Sequence, residues 1–221
     1  MMKLYIGNKN YSTWSLRAWL IFDKSTIKFE EEKLTLDSKA FYQVLKNVTP
    51  TQKVPSLVDG KTTVWDSLAI CEYINDVYLS GSAWPTAAHE KAKARALACE
   101  MHSGFNAIRN EIPMNIRAKR KVVLTNQAQE EIRRIESIWS EQHLQFKELG
   151  GWLFGQWSIA DAMFAPVALR LGTYGIKLNA HATAYLDQVL NCPSIQRWIA
   201  EAALETDIVE SDEAGVVLLN S

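Results

Sequence analysis

The sequence predicts a chain of two unlike parts: an α/β unit of order β-α-β-α-β-β-α with a mixed sheet, then an all-α helical bundle. Three observations carry this. Strand-like and helix-like apolar patterns alternate up to about residue 80. The stretch "SGSAWPTAAHE" then supplies small residues, a proline and no periodicity. From Glu90 onward apolar residues recur at intervals of three and four, with almost no strand character. The expected divisions are 1–80, a linker at 81–88, and 89–221.

Taken in order, "KLYIG" reads as a short strand and 13–24 as a helix. "IKFEEEKL" alternates apolar with charged residues as a strand does, and "AFYQVLKN" has the spacing of a short helix. "VPSLV" and "TTVW" form a strand pair, because Asp59-Gly60 between them is a tight-hairpin signal in which glycine accepts positive φ without steric cost. "SLAICEYINDVYL" closes the unit as a helix. In the second half the expected helices are 89–118, 125–148, 159–172, 180–190 and 193–203. The first should be interrupted at "IPMN", since Pro113 lacks a backbone donor and clashes one turn back. "RAKRK" at 117–121 reads as a solvated helix end. In the final "DEAGVVLLNS" the apolar run favours docking, either over a site or elsewhere on the surface.

Composition narrows the function. With 48% hydrophobic residues in 221, the chain can build a sizeable core. Lys and Arg total 24 against 25 Asp and Glu, so no overall field concentrates it on nucleic acid or an anionic membrane. The apolar stretches fall short of the roughly 20 residues a bilayer span needs, and the first residues lack a signal-peptide pattern, so the expected location is cytoplasmic. Cys71, Cys99 and Cys192 are far apart, and the four histidines have no ligand spacing, so neither a disulfide framework nor a metal is expected. The common nucleotide-binding and hydrolase motifs are absent.

Three stretches carry chemistry. In "NYSTWSLRAWL", Tyr11, Ser12 and Thr13 crowd the point where a strand gives way to a helix, as caps or as ligand contacts. In "TQKVPSLVDG", Pro55 either marks a sheet edge or adopts the cis form, which would turn the Val54 amide outward as a two-point clamp for a peptide backbone. In "VWDSLAICEYI", Asp66-Ser67 stands at a helix start, able to cap it or to bind an amino-acid-like head group through free amides, dipole and hydroxyl. One peptide held at Asp66-Ser67 and Val54 would lay its middle against Ser12.

These residues resemble the cytosolic glutathione S-transferases. "KVPSLVDG" matches the cis-proline strand pair of that family, "DSLAICEYI" the helix that holds the γ-glutamyl group, and "SIADAMFAPV" at 158–167 its capping element, with Ser158 as N-cap and Asp161 three residues on. The resemblance implies a thioredoxin-like first domain, glutathione as co-substrate and a homodimer. "STWSLRAWL" is most similar to the serine-type zeta class: aligned on Arg17, Ser12 falls at the catalytic serine and Thr13 at the second serine. Trp14 stands where the zeta pattern has cysteine, and Lys53 where it has glutamine. The chain also looks like a bacterial branch carrying "EMHSGFNAIRNEIPMNIR".

What the resemblance implies for mechanism is a thiolate held by a hydroxyl. A free thiol has a pKa of about 8.5, and lowering it by two units requires about 2.7 kcal/mol of differential stabilisation, within reach of one charge-assisted hydrogen bond plus a helix dipole. Ser12 would supply that bond, with Tyr11 a second candidate and a helix cap the structural alternative. Lys53, Val54, Pro55, Asp66 and Ser67 would bind glutathione. A small electrophile would lie between the two parts, against an apolar wall of Trp14, Met101 and Phe105, with His102, Arg109 and Arg117 available to an anion. The expected reaction is sulfur attack on an electrophilic carbon, as a transferase or a maleylacetoacetate isomerase; a non-catalytic interaction module is the rival. Position 12 is not cysteine, which disfavours mixed-disulfide reductase chemistry.

Overall fold

The computed structural model describes residues 2–218, so the last three residues of the apolar tail singled out above lie outside it. The first part is β1 (Lys3–Ile6), α1 (Thr13–Ser25), β2 (Glu30–Lys33), α2 (Lys39–Leu45), β3 (Ser56–Asp59), β4 (Thr62–Trp65) and α3 (Ser67–Tyr78). The sheet order is β2-β1-β3-β4, with β1 parallel to β2 and antiparallel to β3, so the sheet is mixed as expected. Asp59 pairs with Thr62, which leaves Gly60 and Lys61 as the hairpin loop, and Gly60 takes φ of 58°. The hairpin therefore turns one residue later than Asp59-Gly60 suggests.

The bundle holds α4 (Ala88–Ser103), α5 (Asn106–Glu111), α6 (Asn126–Phe146), α7 (Ile159–Tyr174), α8 (Ala180–Leu190) and α9 (Pro193–Ala203). Thus the architecture is a thioredoxin-like α/β domain joined to an all-α domain. Its centre is α7, buried along nearly its whole length and packed against α1 and α4. Asp161 anchors the start of α7: its carboxylate accepts the Leu153 and Ser158 amides at 3.0 and 2.8 Å and the Tyr185 hydroxyl at 3.0 Å. α1 is buried on several sides, with Leu16, Trp19, Leu20, Ile21 and Phe22 all in the core, and it packs against both α3 and α7. No helix among the described residues is long and apolar enough to cross a membrane.

Three expectations need correcting. The helical run ends at Glu111, directly before "IPMN" as expected, but it also breaks earlier, at Gly104 and Phe105, where Phe105 takes the left-handed conformation at φ of 60° and is buried. A Cβ at 104 would lie 2.9 Å from the Glu100 carbonyl oxygen, and Glu131 takes the Ala107 and Ile108 amides that open α5. Next, "RAKRK" is not a solvated helix end: Arg120–Lys121 is a strand, β5, antiparallel to β6 (Val216–Val217). Finally, the bundle half contains that small sheet, which no local pattern announced.

Candidate functional site

A cavity of about 640 Å³ opens beside the N-terminus of α1, lined by Tyr11, Ser12, Thr13, Trp14, Gln52, Lys53, Val54, Arg109, Arg170 and Asp212 among others. A second cavity of about 300 Å³ adjoins it, sharing Trp14, Thr51, Lys53 and Val54 and adding Pro55, Trp65, Asp66 and Ser67. Most of the residues singled out for glutathione therefore line one continuous surface.

The loop from Gly7 to Ser12 is built from consumed polar groups. Buried Glu205, just beyond α9, takes the Lys9 and Asn10 amides at 2.8 and 3.0 Å. Asn8 receives the Leu36 amide at 2.8 Å and donates to Asp207 at 3.0 Å. The Lys9 ammonium, almost fully buried, pairs with Glu31 and Glu201 and lies 5.3 and 5.0 Å from the rings of Trp19 and Trp198.

Adjacent hydroxyls then meet different fates. Tyr11 donates to Glu213 at 2.6 Å and accepts from Arg117 at 3.1 Å, so the C-terminal segment occupies it. Arg117 also bonds the Glu205 and Asp207 carbonyls, which places it in this strap rather than in the cavity. Ser12 holds the N-cap position of α1, yet its side chain caps no amide. Its Oγ instead lies 2.7 Å from the Oγ of Ser15 and lines the cavity.

Across the cavity the Val54–Pro55 bond is cis. Among the described residues neither the Val54 amide nor its carbonyl has a hydrogen-bond partner, since β3 begins only at Ser56. Asp66, at φ of 76°, caps α3 by accepting the Leu68 and Ala69 amides at 2.9 and 3.2 Å through Oδ1, while Oδ2 lies 3.0 Å from His102 Nε2. Asp66 is thus the cap of that pair, and the fully buried Ser67 hydroxyl has no partner among the described residues.

The far wall is cationic. The Trp14 indole has the guanidinium groups of Arg17 and Arg109 at 4.4 and 4.7 Å from its ring and lies edge-on to His102 at 5.3 Å. Arg109 is fixed by the Gly104 and Met101 carbonyls, Arg170 by those of Ile108, Arg109 and Ile112. Burial, then the charge of Arg109, pushes Arg170 down to about 10, and burial followed by both neighbouring guanidiniums lowers Arg17 well below its ordinary value. Burial raises Asp212 to about 6 against the pull of Arg170.

Met101 and Phe105 do not form the expected apolar wall: both are core side chains and line neither cavity. An apolar residue at helical spacing faces whichever neighbour is packed hardest, and here that is the bundle interior. Arg170, Asp212 and Ser15 were missed. Arg170 sits in an apolar helical run where a lone arginine is the only signal; Asp212 sits in a segment without periodicity. Among the described residues no cluster of three or more His, Cys, Asp or Glu could hold a metal.

Residues 11–77 match the family model described as glutathione S-transferase, N-terminal domain. That match spans under a third of the chain, so it shows a likeness of the first part to the N-terminal domain of the glutathione S-transferases. Two curated relatives are similar over most of the chain. The chain is 26% identical over 211 residues to glutathione S-transferase omega-2 of Mus musculus, covering 91% of this chain and 78% of the relative. It is 23% identical over 181 residues to a probable maleylacetoacetate isomerase of Caenorhabditis elegans, covering 81% and 83%. Among solved structures, a glutathione transferase homolog from Burkholderia GL BGR1, described with bound glutathione, superposes with a TM-score of 0.70 at 24% identity, covering 91% of this chain and 97% of that one. At that identity the superposition speaks for the fold alone.

Proposed function

We propose that this protein is a glutathione transferase of serine type that activates the glutathione thiol for attack on a small electrophile. The observation that carries the reading is the set of polar groups with hydrogen-bonding capacity left over around two adjoining cavities: the Ser12 hydroxyl, which caps no amide and meets only Ser15, the Val54 backbone and the Ser67 hydroxyl at the start of α3. Val54 offers an amide and a carbonyl to a peptide backbone, as an added strand would. Asp66 and Ser67 take the amino-acid head group at a helix N-terminus, with Lys53 toward its carboxylate. This lays the cysteinyl sulfur against Ser12, whose hydrogen bond favours the thiolate. The lone pair then attacks carbon, and the leaving group departs or the double bond takes up a proton.

Arg109 and Arg170 on the far wall support an electrophile that carries an anionic group. A second reading, glutathione-dependent cis-trans isomerisation of an unsaturated acid, draws on the same cationic wall and on the Caenorhabditis elegans relative. It differs in that the sulfur adds, permits rotation and leaves. Homodimer formation belongs to this proposal, supported by exposed Trp65, Val77 and Tyr78 on β4 and α3. The test is glutathione titration by calorimetry, with thiolate ultraviolet absorbance followed against pH for wild type and Ser12→Ala. Wild type should bind and lower the thiol pKa by about two units, and Ser12→Ala should lose most of that shift. Absence of binding at millimolar glutathione refutes the reading.

A further inference from the structure

We propose that Ser15 is a positioning residue that sets the direction of the Ser12 hydroxyl, so that Ser12 presents its hydrogen to the cavity. The inference rests on the glutathione reading above and deepens it. Ser15 is completely buried, and its Oγ has two neighbours within hydrogen-bond reach among the described residues: the Gly7 amide at 3.0 Å and Ser12 Oγ at 2.7 Å. A hydroxyl carries one hydrogen and accepts through two lone pairs, whereas an amide only donates. The Gly7 amide therefore fills an acceptor site on Ser15.

The one remaining question is which serine donates to the other. If Ser12 donated, the hydrogen of Ser15 would have no acceptor in a place closed to water, the arrangement that buried polar groups avoid. The count closes only when Ser15 donates to Ser12. The hydrogen of Ser12 is then left over, and the open side of Ser12 is the cavity. The chain runs from the Gly7 amide to Ser15, from Ser15 to Ser12, and from Ser12 to whatever anion lies beyond. No proton moves along it. Each accepted bond polarises the next hydroxyl, so Ser12 donates more strongly than an isolated serine.

The sequence around the chain suits this arrangement. Ser12 and Ser15 stand three apart at the start of α1, which places them on one face. Gly7 follows directly on β1, and a Cβ there would lie 2.6 Å from a Leu36 methyl and 3.1 Å from Ser12 Cβ, so glycine lets that amide approach without displacing either side chain. Tyr11 does not compete for Ser12, because Glu213 and Arg117 occupy its hydroxyl.

The experiment measures the pKa of bound glutathione thiol, and the Kd of glutathione and of S-methylglutathione, in wild type, Ser15→Ala and Ser15→Cys. S-methylglutathione fills the same site but has no thiolate to stabilise. For Ser15→Ala the expected result is a thiol pKa raised by about one unit, a roughly tenfold loss of thiolate preference, with S-methylglutathione affinity unchanged. Ser15→Cys, a weaker donor of similar shape, should give a smaller rise and serves if Ser15→Ala does not fold. A purely structural anchor for the Gly7 amide would lower thermal stability and leave the thiol pKa alone; an unchanged pKa in either variant overturns the inference while the proposed function stands. If wild type binds neither ligand, the proposed function fails first and carries this inference with it.

Discussion

The loop Gly7–Ser12 and the edge from Lys53 to Ser67 lie on two adjoining cavities and treat their polar groups in opposite ways. On the loop almost every donor and acceptor is spent within the protein: Glu205 on two amides, Asn8 on Leu36 and Asp207, Tyr11 on Glu213 and Arg117. On the edge the Val54 backbone and the Ser67 hydroxyl are unspent. Spent groups make a support, and unspent groups in a cleft await a partner. Ser12 is the exception on the loop side, the single hydroxyl that the support aims outward.

The contrast breaks most readily on the loop side. Glu205→Ala strips two buried amides of their acceptor and should cost roughly 3 kcal/mol, lowering Tm by about 6–12 °C in scanning calorimetry. An unchanged Tm would show that the loop does not depend on its strap. On the edge, Asp66→Ala removes the α3 cap as well as a proposed ligand contact. Glutathione affinity should fall by about tenfold or more in titration calorimetry, with about 1 kcal/mol lost in stability.

A finer test uses Asp212, which burial holds at about 6 beside Arg170. A carboxyl raised above its ordinary value stabilises the fold while protonated, and that contribution is lost as pH rises through about 6. Asp212→Asn should therefore raise Tm at pH above about 7 and leave it unchanged near 4. By the same sign, wild-type KM for an anionic electrophile should climb as pH rises through about 6, when the new carboxylate competes for Arg170, and the KM profile of Asp212→Asn should lack that step. The smallest effect belongs to Gly60→Ala in the β3–β4 loop, where φ of 58° makes the added methyl cost about 1 kcal/mol. Glutathione Kd should not change, because the loop is remote from the unspent groups.

Local patterns made much of this legible. A proline ahead of the short run Ser56-Leu57-Val58 and an Asp-Gly pair locate the β3–β4 hairpin, and three- and four-residue spacing gives α8 and α9 at the bounds the structure shows, 180–190 and 193–203. Features that join distant segments escaped. The pairing of Arg120–Lys121 with Val216–Val217 leaves no periodic trace, because two residues on each side are too few to show one. Nothing in the three- and four-residue spacing of 89–118 marks Gly104 as a break, because the cause is the left-handed backbone of Phe105 beside it. Asp66 and Ser67 were both legible as helix-start residues, but which one caps and which stays free depends on where His102 arrives from α4. Ser15 was invisible for a similar reason: its role depends on a strand end folded back onto it.

The placement of α1 has a consequence for how this molecule is taken apart. Its side chains furnish core to α3 on one side and to α7 on the other, so neither half owns the helix. A piece ending near Trp84 would carry α1 with a bare apolar flank, and the complementary piece would keep an uncovered α7. Mixed together, such pieces should recover structure that neither has alone. The intact chain should melt as one cooperative unit in calorimetry, although its outline suggests two.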